Sequence, residues 1–172
     1  MLFSPHVRKA ALVLHVATSV GSIGSVATFL ALAGTGLVTS ETELFLGVYP
    51  SMDLITLVVI VPLLGSALLL GIIQALFTPW RLLDHWWVLA KLVISIAILA
   101  VLLAQLPGIA RLADASVARL PFPPELGRIQ LSVVVHSAAG LIVLLIPLLL
   151  SIYKPWGLTA FGRRKAERRH RR

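Results

Sequence analysis

The chain has 172 residues, of which 58% are hydrophobic and 13% are charged; soluble domains have roughly 45–50% apolar and 25% charged residues, so this composition excludes an ordinary soluble globular protein. It contains no cysteine, which excludes disulfides, thiolate metal sites and iron–sulfur clusters. The net charge of +8 does not by itself indicate nucleic-acid binding, because seven of the fifteen basic residues lie together in the last ten positions.

Four stretches are long and apolar enough to cross about 30 Å of hydrocarbon, which takes about 20 helical residues. They are residues 10–34, 53–77, 86–106 and 129–153. The first is longer than the apolar core of a signal peptide, so we expect the mature protein to retain it. The predicted fold is all-α, a bundle of four transmembrane helices in one domain (residues 1–160) followed by a basic tail (residues 161–172).

The distribution of Lys and Arg predicts the orientation of the bundle, because cytoplasmic loops are enriched in these residues. Cytoplasmic termini place eleven basic residues inside: Arg8, Lys9, Arg81, Lys154 and the seven of the tail. Only Arg111, Arg119 and Arg128 then lie outside, and Lys91 falls within the third span. We therefore predict that both termini are cytoplasmic.

Small residues in the first span predict its packing face, since helices in lipid associate where their backbones approach closely. At 100° per residue, one face collects Ala17, Gly21, Gly24 and Thr28. An adjoining polar stripe, expected to turn inward, contains His15, Thr18, Ser19 and Ser22.

The second span is expected to begin at Asp53, which would cap the helix or favour its positive end. The preceding sequence "TSETELFLGVYPSM" is predicted to be a loop. Pro62 and Pro147 are expected to bend their helices. After the third span, the pattern from Ile109 to Leu120 predicts a short interfacial helix.

The sequence "LFTPWRLLDHWWVLAK" between the second and third spans indicates a boundary between membrane and water. Trp and basic side chains anchor helices at the headgroup level, and the predicted anchors are Trp80, Arg81, Trp86, Trp87, Lys154 and Trp156. Lys91 lies about 7–8 Å further along the helix at 1.5 Å per residue, so its side chain could extend back to the headgroups.

Histidines within the spans are candidate functional residues, because polar groups are expensive in hydrocarbon. His15 and His136 could be neutral side chains bonded across helices to Ser or Thr, or ligands of a metal or haem. Their depths differ by roughly 15–20 Å at 1.5 Å per residue, whereas His15 and His85 share one level. We therefore expect any haem to involve His15 with His85, and a second centre at His136 is the weaker alternative.

Four stretches resemble a bacterial family of small four-helix integral membrane proteins described only as a domain of unknown function. They are "LHVATSVGSIGSVATFLAL", "GIIQALFTPWRLLDHWWVLAKL", "VVVHSAAGLIVLL" and "LSIYKPWGLTAFG". The resemblance covers nearly the whole chain and implies the cytoplasmic membrane of a bacterium. In the family pattern position 81 is Gly and position 84 is basic, whereas this chain has Arg81 and Asp84.

The early His of the first span and the W-x-x-x-K pattern from Trp87 to Lys91 also resemble the copper-resistance D-type membrane proteins and the haem-dependent protoporphyrinogen oxidases. This resemblance implies that His15 is a haem or metal ligand, with haem b as the cofactor, and that Lys91 is a functional basic residue.

Three functions remain open at this stage. The first is haem or metal binding in electron transfer or porphyrin chemistry, and the second is a structural or accessory subunit with a membrane partner. The third is a transporter, which would need a homo-oligomer because the chain has no internal repeat. The basic tail is expected to contact anionic lipid and not nucleic acid, since it has no interleaved aromatic residues.

Overall fold

Four helices of the computed structural model are long and apolar enough to cross a membrane, and each contains one of the predicted spans. Their bounds are Pro5–Val38, Thr42–Phe77, Trp86–Val117 and Pro124–Tyr153. The structure describes residues 4–77, 82–118, 124–155 and 157–170, and no strand occurs within them. The predicted all-α bundle of four helices is confirmed, and the chain is a multi-pass membrane protein.

The elements follow in chain order. They are α1 (Pro5–Val38), α2 (Thr42–Ile55), a π-helical turn (Thr56–Ile60), α3 (Val61–Phe77), α4 (Trp86–Val117), α5 (Pro124–Tyr153) and α6 (Ala160–His170). The second long helix is therefore α2, the π-helical turn and α3 in one continuous run.

The four long helices form a closed ring. The helix made of α2 and α3 packs between α1 and α4, and α5 packs between the same two on the other side. Successive helices run in opposite directions, so one end of the ring holds residues 5, 77, 86 and 153, and the other holds residues 38, 42, 117 and 124. We call these the terminal end and the distal end.

Large apolar side chains cover the outside of the ring. Val13, Leu57, Val93 and Ile142 are each at least half exposed and come from all four long helices. Burial within the most apolar 18-residue window of each helix reaches only 11–22%. Such a surface would be unfavourable in water, and acyl chains are its natural solvent.

The distal end has a tightly packed core. Met52 and Leu112 are fully buried, and Tyr49 and Ile109 are 1% and 2% exposed. The Nε2 atom of Gln130 on α5 donates a hydrogen bond of 2.5 Å to the Tyr49 hydroxyl on α2. Tyr49 and Met52 lie in the stretch predicted to be a loop, and Ile109 and Leu112 lie in the predicted interfacial helix, so all four are outside the predicted spans.

Two predictions about the distal end are wrong for the same reason. Asp53 does not cap a helix, because the helix already begins at Thr42 and Asp53 lies inside it. The predicted interfacial helix after the third span is instead a continuation of α4 through Pro107 to Val117. Tyr49 and Met52 bury their side chains against Ile109 and Leu112, so packing between the two extensions stabilises both as helix.

The π-helical turn lies directly before Pro62. A proline ring collides with the carbonyl four residues earlier and has no N–H to donate, so an α-helix must adjust there. The Val61 N–H instead reaches back five residues to the Thr56 carbonyl, and the buried Thr56 hydroxyl donates to the Met52 carbonyl at 2.6 Å. Pro62 was expected to bend its helix, and the irregularity that accompanies it is this π-helical turn.

The predicted small-residue face of α1 is wrong except at Gly21, where an added Cβ would lie 3.3 Å from Leu63. Ala17, Gly24 and Thr28 are exposed, and the buried face consists of Ser22, Val26, Phe29, Ala33 and Gly36. Large and small side chains therefore interlock. At Gly36 a methyl group would come within 2.7 Å of the Tyr49 hydroxyl, so glycine is required there.

The chain after α5 folds back onto the connection between α3 and α4. Thr159 caps α6, since its Oγ1 accepts from the Gly162 N–H at 3.1 Å, and the same hydroxyl donates to the Leu83 carbonyl at 2.6 Å. The Thr159 N–H donates to the Asp84 carbonyl at 2.9 Å. A Cβ at position 162 would lie 2.5 Å from that Asp84 oxygen. We call this arrangement the tail clasp.

Candidate functional site

A cavity of about 740 Å³ opens at the terminal end, between α1, α3, α4 and α5. This volume lies within the range of about 300–1,000 Å³ that is usual for small-molecule sites. Its polar and charged lining residues are Arg8, Lys9, His15, Ser19, Ser22, Gln74, Trp87, Lys91, Ser95, Ser151 and Lys154. We call it the terminal cavity.

Small residues of α3 create the space on one side of this cavity. Ala67, Gly71 and Ala75 recur every four residues, so they lie on one helix face, and all three line the cavity. The His15 imidazole of α1 packs over Gly71, where an added Cβ would lie 3.2 Å from its Cε1 atom. Gln74 joins the same two helices, donating from Nε2 to the Ala11 carbonyl at 2.7 Å.

His15 has a buried ring nitrogen without a partner. Its Nδ1 atom makes no hydrogen bond to any described residue. The neighbouring hydroxyls of Ser19 and Thr18 donate to backbone carbonyls of their own helix, that of His15 among them. The expected alternative, an imidazole bonded across helices to Ser or Thr, is therefore not formed at Nδ1. A buried polar atom without a partner is costly, which favours an interaction with a bound group.

Lys91 lies in the same cavity, on the opposite side from His15. Its ammonium group donates to the Ser151 hydroxyl of α5 at 3.1 Å and sits 4.8 Å above the Trp87 ring. Ser151 in turn donates to the Pro147 carbonyl at 2.7 Å. These contacts hold the charge between α4 and α5, beside Trp87 one turn back along its own helix.

The terminal cavity is strongly basic. Lys91, Lys154, Arg8 and Lys9 all line it, and none of the described lining residues is acidic. Lys154 ends α5 in the left-handed conformation, with φ of 44°, which turns the chain at the cavity rim. Cations in a poorly screened environment repel one another and attract anions more strongly than in water. The arrangement is suited to a ligand with negative charge.

The other two candidate histidines are not in this cavity. His85 precedes α4, pairs through its backbone with Leu158, and stacks edge-on against Trp87 with ring centroids 6.2 Å apart. His136 is exposed on α5, and its Nδ1 lies 2.7 Å from the Ser132 carbonyl of its own helix. The structure thus brings His15 and Lys91 together and leaves His85 and His136 outside.

The predicted membrane anchors have different positions. Trp86 is 49% exposed, as an anchor should be, whereas Trp87 is 6% exposed and forms part of the cavity wall. Lys154 also belongs to the cavity. Trp80, Arg81 and Trp156 lie outside the described residues.

A metal site and a haem site place different demands on these residues. No group of three or more His, Asp or Glu that could hold a metal ion exists in the described part of the chain. Haem needs only one or two axial ligands from the protein. His15 Nδ1 is such a donor, and the basic residues at the rim suit the two propionates, so the residues present fit haem better than a metal ion.

Sequence reasoning missed several residues of the cavity. Gly71, Gln74 and Ser151 were not singled out, although the spacing of Ala67, Gly71 and Ala75 is visible in the sequence. Arg8 and Lys9 were used only to infer orientation, and Lys154 was used to infer orientation and membrane anchoring. What could not be found without a structure is that these residues surround one space.

A smaller apolar cavity of about 290 Å³ lies further toward the distal end. His136 and Gln105 are among its polar lining residues, and most of the others are aliphatic. Leu64, Ile98 and Leu144 line both this distal cavity and the terminal cavity. The two spaces therefore adjoin.

No known protein family, characterised relative or solved structure matches this chain, in sequence or in fold.

Proposed function

We propose that this protein binds haem in the terminal cavity, with His15 as the axial ligand, and acts in electron transfer or porphyrin chemistry. The single observation that carries the proposal is the buried, unpartnered Nδ1 of His15, a residue that lines a cavity of about 740 Å³. Haem iron would supply the redox or Lewis-acid chemistry, and an imidazole nitrogen is its commonest protein ligand. His85 does not line the cavity, so His15 is the one histidine that would bind the iron.

The remaining residues of the cavity would hold the rest of the macrocycle. Arg8 and Lys9 on α1 and Lys154 at the end of α5 would pair with the propionates, since guanidinium and ammonium groups bind carboxylates well. Gly71 leaves space beside the imidazole, and the aliphatic residues of α3 and α4 would exclude water from the ring. Lys91, held by Ser151 and Trp87, would add positive charge near the bound group.

The location and orientation belong to the same proposal. Most basic residues lie at the terminal end, which agrees with the positive-inside rule if that end is cytoplasmic, and the resemblance noted in the sequence supports a bacterial inner membrane. The helix α6, with sequence AFGRRKAERRH, would then lie near the anionic leaflet, where each basic residue adds about 1 kcal/mol.

A visible spectrum of the detergent-purified protein tests this function. We expect a Soret band after expression with added haem, and its loss or marked reduction in His15→Ala. His136→Ala is the matched control, since that imidazole is exposed and bonded to its own helix. A colourless wild-type protein after haem reconstitution, or an unchanged spectrum in His15→Ala, would show that the proposal is wrong.

A second candidate is an accessory subunit that uses α6 to contact a membrane partner. The tail clasp supports it, because the clasp fixes a basic helix to the connection between α3 and α4. Crosslinking in native membranes would recover a second protein through α6, and recovery of the chain alone would count against this candidate.

A further inference from the structure

The two cavities adjoin and differ in polarity. Four cations line the terminal cavity, whereas the distal cavity is lined mostly by apolar side chains. Leu64, Ile98 and Leu144 line both cavities and form the layer that they share. Each of these three side chains is flexible and apolar, so a chain of methylene groups could pass among them without leaving a polar group unpaired.

The distal cavity presents an apolar surface that an alkyl chain matches. Its lining includes Val26, Phe29, Ile60 and Val133, and apolar side chains gain dispersion contacts from methylene groups that pack against them.

We propose that the joined cavities bind a long-chain alkyl or prenyl phosphate monoester, with its phosphate in the terminal cavity and its chain in the distal cavity. This inference goes beyond haem binding and does not depend on it. The two ligands would occupy the same terminal cavity, so they would compete.

The charges of the terminal cavity favour a phosphate monoester over other headgroups. Four cations line it and no described lining residue is acidic, so a group with a charge of about −1.5 to −2 is matched better than a carboxylate with one. The Lys91 ammonium group and the second N–H of the Gln74 amide are suited to phosphate oxygens. A quaternary ammonium headgroup would be repelled.

The alkyl chain of the ligand would contribute more to selectivity than to affinity. In a bilayer the competing environment of an alkyl chain is also apolar, so moving it into the protein gains little hydrophobic free energy. The gain comes from filling the distal cavity, and it is available only to chains long enough to pass the layer of Leu64, Ile98 and Leu144. The affinity for the ligand should rise once its alkyl chain is long enough to pass that layer.

Native mass spectrometry of haem-free protein in neutral detergent tests the headgroup. We expect one hexadecyl phosphate to bind per chain, octyl phosphate to bind several-fold more weakly, and hexadecyltrimethylammonium not to bind. Lys91→Gln should weaken hexadecyl phosphate by about tenfold, the effect of losing one charged hydrogen bond. Equal binding of the ammonium amphiphile, or no loss in Lys91→Gln, would overturn the proposal.

A hexadecyl phosphate with a diazirine at the chain end tests the path. Crosslinks are expected at buried residues of the distal cavity, such as Ile60 and Val133. Ile98→Trp, which fills the shared layer, should move them away and abolish the preference for the long chain, while octyl phosphate still binds. Crosslinks confined to outward residues such as Val93 and Ile142 in the wild-type protein would contradict the path.

These results separate the two proposals. Hexadecyl phosphate binding that persists in His15→Ala, in a protein that shows no Soret band, would support this inference and remove haem. A Soret band without phosphate binding would do the reverse. Competition between the two ligands would support a shared terminal cavity.

Discussion

The two ends of the bundle are built from the same four helices but packed differently. At the distal end, Tyr49, Met52, Ile109 and Leu112 are at most 2% exposed and leave little space between α2 and α4. At the terminal end, small residues of α3 and a ring of basic and polar side chains surround a cavity. The comparison teaches that stability is concentrated at one end, which allows the other to remain open for a ligand.

The largest expected effect comes from the same truncation at both ends. Leu112→Ala should lower the free energy of unfolding by about 2–5 kcal/mol, because it leaves a void in a close-packed core. Leu92→Ala, at the wall of the terminal cavity, should cost much less, because that side chain already borders empty space. Unfolding in dodecyl sulfate mixed micelles measures both. Equal losses would show that the two ends do not differ in packing.

The second prediction concerns the tail clasp, which is closely packed although it lies at the terminal end. Gly162→Ala should cost about 1–3 kcal/mol, since its Cβ would lie 2.5 Å from the Asp84 carbonyl oxygen, and overpacking of a fixed backbone has that magnitude. Limited proteolysis should then cleave the tail faster. Gly157→Ala is the control, because nothing lies within 4 Å of a Cβ there, and equal cleavage of both variants would be evidence against the clasp.

Gly71→Ala tests the space beside the His15 imidazole. Its Cβ would come within 3.2 Å of the His15 ring, so the imidazole must shift, and we expect haem affinity to fall about tenfold, or about 1.4 kcal/mol. A haem titration followed at the Soret band measures this. Gly65→Ala on the same helix has no atom within 4 Å and should bind haem normally. Unchanged affinity in Gly71→Ala would argue against His15 as ligand.

The smallest effect is expected from Tyr49→Phe at the distal end. It removes the hydrogen bond from Gln130 but keeps the ring, so the free energy of unfolding should fall by about 0.5–1.5 kcal/mol. Haem binding should not change, since Tyr49 is not a residue of the terminal cavity. A loss of haem binding without a loss of stability would mean that the two ends are coupled.

The sequence predicted the fold well because hydrophobic length alone decides how often a chain crosses a membrane. It failed at the helix ends. Glu41, Glu43 and Pro50 look like loop residues, yet the helix runs through Pro50 because Tyr49 and Met52 pack against α4. It also failed on α1, where Ala17, Gly24 and Thr28 face outward and Phe29 is buried. Local composition cannot show which partner a helix face will meet.

For the candidate site, the sequence singled out His15 and Lys91, which both line the terminal cavity, and paired His15 with His85, which does not line it. Depth along a helix can be counted from residue numbers, so His15 and His85 were placed at one level. The direction in which His85 points depends on its backbone pairing with Leu158, more than seventy positions away. Contacts of that kind have no local sequence signal.

The tail clasp connects α6 to the wall of the terminal cavity. Thr159 holds residues 83 and 84 with one hydrogen bond from its side chain and one from its backbone, and from there the chain enters α4, where Trp87 and Lys91 line the terminal cavity. A displacement of α6 at the membrane surface would therefore be transmitted through these residues to the wall of that cavity. A ligand bound inside the bundle would therefore change how α6 attaches outside it, and attachment of α6 would change how the ligand binds.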